Sequence, residues 1–124
     1  MAKQIKYIVE KELVRVWFDG FVSAESIASI ITDIVNERKN LPDNVRVLVD
    51  ARRAKYDGKP DDLKMILRKF REHNRKFEMI KLAIILQNPY ETAISIIMQE
   101  MLKNIENIFF KVCSTEQAAI SWLR

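Results

Sequence analysis

The chain has 124 residues, of which 48% are apolar and 31% are charged, with only two glycines and three prolines. This composition predicts one compact domain over residues 1–124 with short loops, and it excludes a disordered or low-complexity chain. The formal net charge is +4, and the positive charge is concentrated between Arg52 and Lys81 in the middle of the chain.

The first half of the chain predicts a hairpin, a helix and a strand. Residues 5–9 and 14–18 are rich in β-branched and aromatic side chains and are separated by a short polar stretch, which is typical of an antiparallel hairpin. Gly20 is expected to end the second strand. Ser23 is a good N-cap for a helix whose isoleucines recur with the helical period, and residues 45–50 then predict the third strand.

The second half alternates helices and strands. Pro60 is expected at the first position of a helix, where proline is favoured. Residues 80–86 and 108–112 are apolar segments with the length of strands, and Pro89 begins a helical pattern between them. Ser114 opens a capping-box pattern that predicts a short last helix.

The element order is therefore ββαβαβαβα, which predicts an α/β fold. Strands separated by helices pair in parallel through right-handed crossovers, so we expect a five-stranded, mostly parallel mixed sheet with an antiparallel N-terminal hairpin. One side of every predicted strand is purely apolar, whereas the other side mixes apolar and charged residues. We expect the helices mainly on one face, since a sheet covered on both faces has strands that are apolar throughout.

The mixed face carries five large apolar side chains framed by lysines and arginines. These residues are Ile8, Trp17, Leu48, Ile85 and Phe109. An open apolar surface of this size is typical of an interface, so we expect a protein partner or self-association there, with a homo-oligomer as the expected state. The alternative is that a terminal segment or a helix folds over this face.

Two segments, VLVDARRAK at the third strand and NIENIFFKVCSTEQAAISWL at the end, together with the element order, resemble the STAS-like or SpoIIAA-like family. This family is related in fold to bacterial anti-sigma-factor antagonists and more distantly to CRAL-TRIO lipid-transfer domains. The resemblance covers residues 5–123 and departs from the family pattern at Cys113, where an aromatic residue usually precedes the S-T-E turn. It implies the same fold and a small non-enzymatic domain for protein interaction or regulation.

The anti-sigma-factor antagonists carry a phosphorylatable serine where the third strand meets the following helix. In this chain that junction runs from Asp50 to Asp62 and contains neither serine nor threonine, and Tyr56 is its only hydroxyl side chain. The family's serine switch is therefore not carried over. The resemblance to CRAL-TRIO domains leaves a second hypothesis open, a carrier of a small apolar ligand or lipid, although a chain of this length needs its helical faces to close the core.

The sequence predicts no catalytic, cofactor-binding or metal-binding residues. The two glycines form no nucleotide-binding loop, and His73 has no cysteine or carboxylate near it at metal-ligand spacing, so we interpret it as a solvated or half-buried helix residue. Cys113 precedes a helix N-terminus, which lowers thiol pKa values, but a buried strand residue is the favoured interpretation.

One basic group lies on the second predicted helix. Lys64, Arg68, Arg71 and Arg75 are spaced by four, three and four residues and therefore share one stripe. Groove-binding motifs and interleaved aromatic residues are missing, so a solvated face is favoured over a nucleic-acid site.

A second basic group follows the third strand, at the sheet edge where helix N-termini gather. We predict that Arg52, Arg53 and Lys55 form an anion or acidic-partner contact there. The alternative is that Arg52 forms an ordinary ion pair with Asp50 or Asp57.

The expected location is the cytoplasm. The longest apolar run, residues 82–86, is far too short for a membrane span. The first residues lack the apolar core of a signal peptide, and a single cysteine agrees with a reducing compartment.

Overall fold

The strands form a single five-stranded sheet in the order β1–β2–β3–β4–β5. The computed structural model describes residues 3–8, 12–37 and 41–124, so the predicted strand residue Val9 lies outside the described part. The first two strands are antiparallel and the others pair in parallel, which confirms the predicted mixed sheet. The strands are β1 (Lys3–Ile8), β2 (Leu13–Val22), β3 (Asn44–Tyr56), β4 (Met79–Ile85) and β5 (Ile108–Cys113).

Most of the helical residues lie on one face of this sheet. The helices there pack on the purely apolar side of the strands, where Val16, Val47 and Val49 are buried against Ile30 and other core residues. The last helix packs on the opposite, mixed face. The helices are α1 (Ala24–Ala28), α2 (Ile30–Glu37), α3 (Leu63–His73), α4 (Pro89–Leu102) and α5 (Glu116–Leu123).

The predicted first helix is divided in two at Ser29. Its start agrees with the prediction, because the backbone N–H of Ser26 donates to the Ser23 hydroxyl at 3.2 Å. The Ser29 hydroxyl donates to the carbonyl of Ser26 at 3.1 Å and accepts from Lys3 Nζ at 2.7 Å. A side chain that bonds to its own helix backbone competes with regular helical bonds, so the helix is interrupted at this residue.

The third strand continues six residues beyond its predicted end at Asp50. Gly20 does not end β2 either, since Gly20 adopts φ +79° and the strand runs on to Val22. The pairing passes from Trp17 opposite Asp50 to Asp19 opposite Arg53, so β3 has one extra residue and forms a bulge. Beyond it, residues 19–22 and 53–56 form a two-stranded extension of the sheet, which we call the ribbon.

The turn after the ribbon is fixed by Tyr56. Its hydroxyl donates to the carbonyl of Lys59 at 3.1 Å, and its ring lies so close to Gly58 that a Cβ there would come within 2.4 Å of it. A side chain at position 58 would therefore displace the Tyr56 ring from this position. A short 3₁₀ turn, Pro60–Asp62, then leads into α3. Proline occupies the first position of this turn, so the helical segment starts at Pro60 as predicted, with α-helical geometry from Leu63.

The mixed face is partly covered by α5, which corrects the expectation of an open surface. Leu48 and Ile85 are 0% exposed and pack in one cluster with Ala119 and Leu123 of α5. The helix starts one residue later than predicted, with Thr115 as its N-cap. The alternative left open by the sequence, a helix folding over this face, therefore applies to the half formed by β3, β4 and β5.

Leu48→Ala should lower the free energy of unfolding by about 3 kcal/mol, because it leaves a cavity between the sheet and α5. The matched control is Phe109→Ala on the same side of the sheet. Phe109 is 46% exposed, so its loss should cost less than about 1 kcal/mol. Urea denaturation of both variants measures the loss in free energy of unfolding. Equal losses would show that α5 does not bury Leu48.

Candidate interaction site

A groove lies beside α5 on the part of the mixed face that this helix leaves uncovered. It encloses about 640 Å³ and is formed by strands β1 to β3 and by Gln87, two residues after β4. Polar and aromatic side chains line it, with Trp17 on one wall and Arg53 on another. The full lining is Lys3, Gln4, Arg15, Trp17, Phe18, Asp19, Asp50, Arg52, Arg53 and Gln87.

The bulge in β3 explains why two consecutive arginines line the same groove. Side chains of a regular strand alternate between faces, but Ala51 and Ala54 both lie in the core. The extra residue between them lets Arg52 and Arg53 both point to the groove side.

Asp50 is the centre of a charged network at the edge of the groove. Its carboxylate accepts hydrogen bonds from Arg52 Nε at 3.0 Å, from Arg52 Nη2 at 2.7 Å and from the Arg52 backbone N–H at 3.2 Å. Arg15 lies on its other side, with Nη2 3.8 Å from Asp50 Oδ2, and donates to Glu116 in the first turn of α5. The network therefore joins two neighbouring strands to the start of α5.

The network changes the titration of its members. The Arg52 guanidinium holds the pKa of Asp50 below its ordinary value, against the opposing effect of burial, and the nearby charge of Arg15 acts in the same direction as Arg52. The same pairing raises the pKa of Arg52. Both charges are therefore retained at neutral pH, and they largely neutralise each other.

Trp17 lies next to the charged network and forms an aromatic wall of the groove. The guanidinium of Arg15 lies 5.1 Å from the centre of the Trp17 ring, which is within the range of a cation–π contact. This contact, together with the Glu116 bond, fixes the Arg15 side chain while Trp17 remains half-buried at the groove.

The five predicted interface residues do not form one surface. Leu48 and Ile85 lie beneath α5, which stands between Trp17 on β2 and Phe109 on the edge strand β5. Ile8 is half-buried at the end of β1. The predicted interface therefore reduces to Trp17 and Ile8 on one side of α5 and to Phe109 on the other.

The predicted basic contact lies on a strand and not in a loop. Arg52 is paired with Asp50, which is the alternative that the sequence left open. Arg53 and Lys55 are exposed on the ribbon. In the β2–β3 register, Lys55 lies opposite Phe21, and Phe21 is 72% exposed.

Sequence reasoning missed Phe21 and the contacts of Arg15 with Asp50 and Glu116, although it had named the pair of Arg52 with Asp50 as an alternative. The signal for Phe21 was present, since Phe21 and Val22 resume an alternating strand pattern after Gly20. No sequence signal places Glu116 next to Arg15, because 101 residues separate them and the contact depends on how α5 packs.

The other predicted residues occupy ordinary structural positions. Cys113 is buried in the α5 cluster, and burial raises its thiol pKa against a weaker opposing effect of Lys111. His73 is half-buried in the last turn of α3. Within residues 3–8, 12–37 and 41–124, no three side chains of histidine, cysteine, aspartate or glutamate are grouped to hold a metal ion. In the same ranges no helix has the length and apolar character needed to cross a membrane.

Comparison with solved structures identifies the fold. An uncharacterised DUF3478-family protein from Shewanella loihica PV-4 with a SpoIIAA-like fold is 14% identical, and the match covers 99% of this chain and 93% of that chain with a TM-score of 0.63. The anti-sigma factor antagonist SpoIIAA in its unphosphorylated form is 17% identical, with 99% and 98% of the two chains covered and a TM-score of 0.50. No family model and no curated protein matches the chain. The chain therefore has a SpoIIAA-like fold, as the resemblance predicted.

Replacing Asp50 by asparagine should destabilise the protein by about 1 kcal/mol at pH 7, because Arg15 and Arg52 lose their shared carboxylate at a partly exposed site. A lowered folded-state pKa gives stability that is present above the unfolded-state pKa of about 4 and is lost as the pH falls further. Urea denaturation of both proteins should therefore show a difference in the free energy of unfolding that is smaller at pH 3 than at pH 7. A gap of the same size at both pH values would contradict the role of the ionised carboxylate.

The Cys113 thiol should react with an aromatic disulfide reagent at least about tenfold more slowly in the native protein than in urea, because it is buried and its pKa is raised. The absorbance of the released thiolate at pH 8 measures both rates, with glutathione as the exposed-thiol control. A native rate close to that of glutathione would place the thiol at the surface.

Proposed function

We propose that this protein is a non-enzymatic STAS-like domain that acts by binding a protein, either a partner or a second copy of itself, in a regulatory role. The observation that carries the proposal is the surface beside α5, where the Trp17 groove continues onto the ribbon with Phe21, Arg53 and Lys55. An aromatic side chain as exposed as Phe21, next to two cations that form no ion pair within 4.0 Å among the described residues, is typical of a contact residue. The fold adds support, since SpoIIAA is an antagonist of an anti-sigma factor, and that role is exercised on another protein.

The mode of regulation should differ from phosphorylation of a serine at the third strand and helix junction. Residues 50–62 contain no serine or threonine. Tyr56 is a poor substitute, because its hydroxyl donates to the carbonyl of Lys59 and its ring packs against Gly58. We propose that binding at the ribbon is controlled by the availability of the partner.

The carrier hypothesis has less support. The cavity between the sheet and helices α1, α3 and α4 is apolar but holds only about 60 Å³. Pockets for small ligands enclose roughly 300–1,000 Å³, so a lipid would need the helices to move apart.

Native mass spectrometry of the protein isolated from its own source tests the proposal. A doubled mass or a stoichiometric protein partner is expected, and a monomer that carries a lipid would instead establish the carrier. Phe21→Ser and Arg53→Glu/Lys55→Glu should each weaken the complex at least about tenfold, because they remove a central aromatic contact or reverse two charges. Ile96→Ser, at a 48% exposed position on α4, is the matched control and should leave the complex intact. If the ribbon variants assemble as well as the control does, the ribbon is not the contact surface.

A further inference from the structure

A second surface lies on the outer side of the helical layer, in the crevice between α3 and α4. The two helices pack against each other through Ile66 and Phe70 of α3 and Ile94 and Met98 of α4. At the far end of the crevice, Arg71 and Arg75 line one groove together with residues 104–107, which follow α4 and include the carboxylate of Glu106. The flank of α3 that carries Arg71 and Arg75 therefore faces α4.

The α3 side of the crevice is basic. Lys64, Arg68, Arg71 and Arg75 are all exposed, and in the described part of the chain none of the four has a carboxylate within 4.0 Å. By contrast, Lys69 on the other flank of the helix is paired with Glu72 at 3.5 Å. Residues 64–76 contain six basic and one acidic side chains. A net charge of +4 for the whole chain means that the remaining residues are together close to neutral.

The α4 side of the crevice is apolar. Tyr90 and Ile97 are 49% and 48% exposed and lie seven residues apart, which places them on one stripe of the helix. Met101 continues the stripe four residues later and packs, half-buried, in the cluster that also holds Leu67 of α3. The floor between the basic and apolar sides is therefore apolar as well.

We propose that this crevice binds an acidic amphipathic helix of a partner protein. Such a helix presents apolar residues every three or four positions on one side and carboxylates at the same spacing on the other. The cations from Lys64 to Arg75 are also spaced by four, three and four residues, so a parallel or antiparallel helix of about three turns, roughly 16 Å, can pair with all of them. The apolar side of that helix then covers Tyr90, Ile97 and Leu67.

Two other polyanions fit this surface less well. Nucleic-acid phosphates would pair with the cations, but Ile97 gains nothing from a phosphate backbone, and stacking platforms for bases need several aromatic side chains. An anionic bilayer would use both the cations and the isoleucine, but it would not require the regular spacing of the charges. Binding to a bilayer is therefore the competing outcome that the test distinguishes.

The test uses the full chain labelled with ¹⁵N and a synthetic helical peptide of 14 residues, with leucines on one side and glutamates at spacings of four, three and four on the other. Amide shifts should concentrate on α3 and α4. Fluorescence anisotropy should show binding at least about tenfold weaker for Arg68→Glu/Arg71→Glu and about fivefold weaker for Ile97→Ser. A peptide with lysines in place of glutamates should not bind.

Matched controls separate this surface from the ribbon and from general charge attraction. Arg53→Glu/Lys55→Glu makes the same charge change elsewhere, and Ile96→Ser makes the same apolar change one residue from Ile97; both should leave peptide affinity within about twofold. The inference fails if Arg53→Glu/Lys55→Glu weakens the peptide as strongly as the α3 variant does. It also fails if vesicles of phosphatidylglycerol and phosphatidylcholine bind the chain through α3 while the peptide does not. Neither failure decides the ribbon proposal, because that test measures the native complex by mass spectrometry and also includes Phe21→Ser.

Discussion

The sequential strand order is the constraint on which the rest of the structure depends. Because β2 to β5 are adjacent and parallel in chain order, right-handed crossovers place α1 to α4 together on one face. The other face is left to α5, whose eight residues extend for about 12 Å with a width of about 10 Å. Five strands spaced about 4.8 Å apart form a sheet about 19 Å wide. One short helix cannot cover that width, so the groove on the β1 and β2 side follows from the topology.

The charged network lies where the covered half of this face meets the open half. Asp50 and Arg15 are half-buried, with 13% and 16% of their side-chain surface exposed, and an opposite charge nearby offsets the cost of this partial loss of hydration. Glu116 supplies such a charge from the first turn of α5, where a carboxylate is also favoured by the helix dipole. The same side chains that satisfy each other's charge therefore also fix the position of the helix on the sheet.

The local pattern of the sequence was sufficient to predict the element order, the mixed sheet and the Ser23 cap, because hydrophobic period and capping act over a few residues. It failed where the outcome depended on pairing between distant segments. The end of β3 was predicted at Asp50 because charged residues follow, yet the backbone there continues to pair with β2 through a bulge. Leu48 and Ile85 are predicted at a surface from the sequence, because nothing in the sequence of α5 indicates which face of the sheet this helix covers. The contact of Tyr56 with Gly58 was missed for the same reason, since only the folded chain shows that the end of the tyrosine ring lies against the glycine.

The number of cations in a sequence segment does not by itself locate an anionic partner. Arg52 is paired with Asp50, and Arg15 with Glu116 and Asp50. Arg53 forms no ion pair within 4.0 Å among the described residues, but Asp19 lies opposite it in the β2–β3 register and lines the same groove. The four cations of the stripe on α3 form no ion pair within 4.0 Å among the described residues, and although Glu106 lines the groove beside Arg71 and Arg75, the stripe presents the larger group of unpaired positive charges to solvent. At physiological ionic strength the field of these charges decays over about 8 Å, so it can raise the rate of encounter with an acidic partner but cannot by itself hold the complex. The lifetime of a complex at α3 must then come from the apolar side of the crevice, where Tyr90 and Ile97 leave water on contact.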